Sequence, residues 1–76
     1  MKEDVLLDRL LTLASKMDTS MEYTVRPYLN RGVATIHKVS LRNVNNWIDH
    51  IRTGRIMDLE ISAVMHYSNE VWRQVK

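Results

Sequence analysis

DLEISAVMHYSNEVWRQV, residues 58–75, is the stretch on which the fold turns. Asp58 reads as the N-cap of a first short helix, with Leu59, Ile61, Ser62 and Met65 behind it. His66 and Tyr67 read as a break. Ser68 then reads as a second N-cap, opening a last helix through Val75 in which Val71, Trp72 and Val75 turn inward. That leaves Asn69, Glu70, Arg73 and Gln74 on its outward side. The plainer alternative is two amphipathic helices packing in a small helical core.

Working upstream, Ser40 to Ile51 is a helix with one apolar stripe of Leu41, Val44, Trp47, Ile48 and Ile51. Ser40 is its N-cap and Gly54 its left-handed C-cap, which bounds the element at about 40–52. Residues 3–17 form a leucine-rich helix in which Leu6, Leu10, Leu13, Ala14 and Met17 recur at helical spacing. Glu3 and Asp4 sit where the helix dipole favours negative charge. So many leucines suit a central core helix; alternatively Leu6, Leu7, Leu10 and Leu11 make a homodimer or partner surface. Residues 18–22 read as a polar loop. From 21 to 39 two readings compete. YTVRPY and VATIHKV are β-branched and aromatic, with Asn30-Arg31-Gly32 as a hairpin turn between them. Against that, Pro27 suits a first helical turn and Val33, Ile36 and Val39 fall at helical spacing. Helix is the preferred reading.

The chain has 76 residues, no cysteine, 45% hydrophobic and 26% charged residues, and a net charge of +2. Such a length suits a single domain (1–76) with a thin core. The absence of cysteine excludes disulfides, thiol catalysis and Cys-type zinc sites. No apolar run is long enough for a membrane span or a signal-peptide core, so a cytoplasmic location is expected. Gly32 and Gly54 cannot complete a dinucleotide or P-loop motif. The charge is uneven. Residues 1–22 carry five acids and three bases; residues 23–76 carry eight bases and four acids. A basic C-terminal part points towards a polyanion.

Residues 58–75 resemble the helix-turn-helix unit of small phage- and plasmid-type DNA-binding regulators. Ile61, Met65, Tyr67, Trp72 and Val75 stand at its apolar places, Ser62 at its small place and Ser68 at the start of its second helix. His66 departs from the pattern, standing where glycine is usual. A weaker second match runs over 33–47, with Val33, Val39, Val44 and Trp47 apolar, Ala34 small and Ser40 as cap; His37 and Lys38 fail it.

The resemblance implies a mainly α domain with a C-terminal helix-turn-helix at 58–76; the alternative is α+β with a hairpin at about 21–39. It implies sequence-specific binding of double-stranded DNA, with Ser68–Lys76 in the major groove. Arg reads guanine, Asn and Gln read adenine and Glu accepts from cytosine, so Asn69, Glu70, Arg73 and Gln74 are the base-reading candidates. Arg52, Thr53, Arg55, Ser68 and Lys76 are the phosphate-contacting candidates. Arg42, Asn43, Asn45 and Asn46 form a possible second reading face. The competing function is a small phage-type interaction or inhibitor module working through the leucine-rich helix.

No catalytic, cofactor or metal site is expected. His37, His50 and His66 lack ligand spacing, and Asp58 and Glu60 point to different faces. Trp47 and Trp72 lie on apolar stripes.

Overall fold

The computed structural model describes residues 2–28 and 35–75. The elements run α1 (Lys2–Lys16), β1 (Glu22–Thr24), β2 (Lys38–Ser40), α2 (Leu41–Arg52) and α3 (Asp58–Trp72). The domain is mainly helical with a short two-stranded antiparallel sheet, in which Tyr23 pairs with Val39. No helix is long and apolar enough to cross a membrane.

Each helix presents one apolar stripe to a shared core. Leu6, Leu10 and Leu13 of α1, Val44 and Ile48 of α2, and Ile61, Val64, Tyr67 and Val71 of α3 meet there, with Tyr23, Val25 and Val39 from the sheet region closing one end. Trp47 stacks on Tyr67, with ring centres 6.2 Å apart and 14° between planes. Burial of this set is the main stabilising contribution, at roughly 1.5–3 kcal/mol for each large apolar side chain.

Local chemistry sets the helix ends. Ser40 and Asn43 form a capping box: the Ser40 amide donates to Asn43 Oδ1 at 2.8 Å, and the Asn43 amide to Ser40 Oγ at 3.4 Å. At the far end of α2, Gly54 takes φ 69°. Its amide donates to Ile51 O at 3.2 Å and that of Arg55 to His50 O at 2.9 Å, the paired bonds of a Schellman stop.

Four expectations need correction. The break at His66–Tyr67 does not form: α3 is one helix from Asp58 to Trp72. Tyr67, Ser68 and Val71 all face the core, so a turn there would pull buried groups into water. Asp58 is the first helical residue and not the cap; Met57 holds the cap position, and its amide donates to Glu60 Oε1 at 3.2 Å. The helix preferred over 21–39 is replaced by β1 and β2, as strand propensity suggested. The second match over 33–47 loses its first helix in the same way, because β2 and not a helix precedes Ser40. The turn expected at Asn30-Arg31-Gly32, and Val33 and Ala34, lie outside the described residues.

Candidate nucleic-acid interface

α2 packs its apolar stripe inward, and the helical period therefore sends Arg42, Asn45, Asn46, Asp49 and Arg52 outward, where all five are exposed. Among the described residues, Arg42, Asn45 and Asn46 have side chains with no hydrogen-bond or ion-pair partner, so their donors and acceptors are available. Asn43 differs from its neighbours: the capping box consumes its carboxamide oxygen. At the end of the row, Thr53 Oγ1 donates to Asp49 O at 2.9 Å and accepts from Arg55 Nε at 3.0 Å. An Arg55 guanidinium nitrogen lies 3.8 Å from Asp49 Oδ2, offsetting the one acid of this face. Lys38, exposed on β2, adds a cation just before the helix.

The electrostatics of this helix start are distinctive. α1 opens with Glu3 and Asp4 and α3 with Asp58 and Glu60, as the dipole prefers. α2 has no acid in its first turn, and Arg42 lies there. A cation at a helix N-terminus is locally unfavourable, and an anion approaching it relieves that cost.

The C-terminal part of α3, expected to read bases, is largely committed within the chain. Ser68 is fully buried and its hydroxyl donates to Met65 O at 2.8 Å, so it neither caps a helix nor reaches a phosphate. Glu70 Oε1 accepts from Arg26 Nε at 2.8 Å and from the Arg26 amide at 3.1 Å, while Oε2 accepts from Arg26 Nη2 at 3.2 Å. The Arg26 side-chain hydrogen bonds, followed by the amide bond, hold the Glu70 carboxyl at about 2, well below its ordinary 4.5. Gln74 Nε2 donates to Thr24 O at 2.8 Å and Glu70 O at 3.1 Å. Asn69 is half-buried. Arg73 is exposed, with Glu70 Oε2 at 3.9 Å. Of these four candidates, Glu70 and Gln74 are therefore already spent on contacts within the chain. No hydrogen bond or ion pair among the described residues links them to Arg52, Thr53 or Arg55. Lys76 lies outside the described residues.

The remaining candidates divide. Leu6 and Leu10 are fully buried in the chain's own core and cannot serve a partner, which corrects their assignment to a dimer surface. Leu7 is half-buried and Leu11 is exposed. Among the described residues no group of three or more His, Asp or Glu side chains is placed to hold a metal.

Sequence reasoning missed Lys38 as a basic contributor and Tyr67 as a structural tie. The Tyr67 hydroxyl accepts from the Tyr28 amide at 3.0 Å and the Ile36 amide at 3.3 Å, and His66 Nε2 donates to Arg26 O at 2.8 Å. The β-branched run around Val39 was the available signal for Lys38, since strand alternation there buries Val39 and exposes Lys38.

No protein-family model, curated protein or solved structure matches the chain.

Proposed function

We propose that the protein binds double-stranded DNA as a small regulator, with α2 as the element that enters the major groove. The observation that supports this reading is the row of exposed, uncommitted Arg42, Asn45 and Asn46 at the start of a helix that carries no acid in its first turn. Asparagine pairs bidentately with adenine and arginine with guanine, and helices that read a major groove use residues near their N-terminal end. Lys38, Arg52 and Arg55 flank the row as phosphate contacts, giving with Arg42 four bases against the single acid Asp49. The groove, about 12 Å wide, admits a helix of this length.

Two other surfaces suit the role less well. α3 starts with Asp58 and Glu60, which repel phosphate, and its far end is tied to Arg26 and Thr24. The leucine-rich helix spends Leu6, Leu10 and Leu13 on the core, so a protein partner would find chiefly Val5 and Leu11.

The test is a fluorescence-anisotropy titration of duplexes selected from a random pool, repeated across salt concentrations. Arg42→Ala should reduce the slope of log affinity against log salt by about 1. The double substitution Asn45→Ala/Asn46→Ala should weaken the selected duplex by about 1–3 kcal/mol per lost base contact with the slope preserved. Absence of salt-dependent binding to any duplex at low salt ends this reading.

A further inference from the structure

Lys2, Arg9 and Lys16 stand seven residues apart on α1. Seven residues are nearly two helical turns, so the three bases share one face and span about 21 Å along the axis at 1.5 Å per residue. That face meets α3. Lys2 lines an open cavity of about 280 Å³ with Ile61, Ser62 and Met65. Further along, the Arg9 guanidinium carbon lies 5.1 Å and Lys16 Nζ 6.0 Å from the Trp72 ring centre.

No ion pair among the described residues includes a member of this row. The ion pairs found there involve Arg26, Arg55 and Arg73. Arg9 Nε is enclosed without a hydrogen-bond partner, which is costly for a donor on a charged group. Its contact with Trp72 attracts the charge without accepting that hydrogen bond. Glu3, Asp4 and Asp8 lie about 100° or more around α1 from the row, by the 3.6-residue period. On the α3 side Ser62, Met65 and Trp72 are uncharged, and Asp58, one turn before Ser62, is the one acid on that face.

We propose that this α1–α3 seam is a second phosphate-binding surface, separate from the α2 face, which seats the backbone of a single-stranded nucleic acid. Proteins that hold single strands without sequence preference combine a cationic track with an aromatic side chain, and the seam offers both in one line. A linear row of three cations follows a flexible strand. An anionic lipid surface calls instead for a broad apolar face, and of the two large exposed apolar side chains of α1 only Val5 lies beside this row, Leu11 standing on the opposite side of the helix.

The full chain is titrated with a labelled oligothymidylate across salt concentrations, beside Lys2→Gln/Lys16→Gln and Arg42→Ala. The two lysines are exposed, so their removal spares the core. Each lost single-strand phosphate contact lowers the salt slope by about 0.7, so the double variant should lose about 1.4 while Arg42→Ala keeps the wild-type slope. An unchanged slope in the double variant overturns the proposal. So does oligothymidylate binding that Arg42→Ala abolishes, or equally strong competition from inorganic tripolyphosphate, which would make the seat one for free oligophosphate. Binding to phosphatidylserine vesicles but not to oligothymidylate overturns it as well. Duplex binding with no oligothymidylate binding ends this proposal and leaves the α2 reading standing. The reverse pattern ends the α2 reading alone.

Discussion

Glu70 grips Arg26 across 44 positions of sequence, its carboxylate accepting from the Arg26 side chain at 2.8 Å and from the Arg26 backbone amide at 3.1 Å. The pair fastens the segment after β1 onto the last turns of α3, and it removes Glu70 from any role in reading bases. With Gln74 donating to Thr24 O and His66 to Arg26 O, this end of α3 acts as a clasp on the chain before it.

The clasp makes stability depend on acid pH. Glu70 is held at about 2 against an ordinary 4.5, so its contribution is fully present above about 4.5 and is lost as the pH falls through about 2. Urea midpoints measured from pH 6 to about 2 should fall more steeply for the wild type than for Glu70→Gln, which has no carboxylate to protonate. Parallel curves would show that the carboxylate contributes nothing.

Tyr67 is expected to be more than a core ring. Tyr67→Phe keeps the stacking surface for Trp47 but leaves the Tyr28 and Ile36 amides without their acceptor. Chemical denaturation should report a loss of about 1–3 kcal/mol, the cost of stranding partly buried donors. A change below about 0.5 kcal/mol would mean water replaces the hydroxyl.

Two serines that look equivalent in sequence should behave oppositely. Ser40 caps α2, so Ser40→Ala should cost about 0.5–2 kcal/mol. Ser68 lies inside α3 and bonds its own preceding turn, so Ser68→Ala should be neutral or slightly stabilising, since alanine is the better helix former. A cap-sized loss at Ser68 would instead support a helix break beside it.

Much of the fold was legible because it is written in short-range chemistry. The α1 stripe, the Ser40 cap and the Gly54 stop are each set by residues within one or two turns, and all three form as read. The misreadings share a different cause. His66 and Tyr67 resemble a turn only if their long-range partners are ignored; Tyr67 anchors Tyr28 and Ile36, and that tertiary demand keeps α3 unbroken. The strands at 22–24 and 38–40 stabilise each other across the intervening chain, which local periodicity cannot weigh. For the site, the outward face of α2 was visible as a cluster of Arg and Asn. The commitment of Asn43 to the cap and of Glu70 to Arg26 became visible only with side-chain geometry.

The central proposal, that α2 is the DNA-contacting element, is tested most directly by amide chemical-shift mapping of the labelled protein with a selected duplex. Shifts should concentrate at residues 38–46 and 52–55, with 68–75 nearly unmoved. Perturbations centred on 68–75, with 42–46 unaffected, would contradict it.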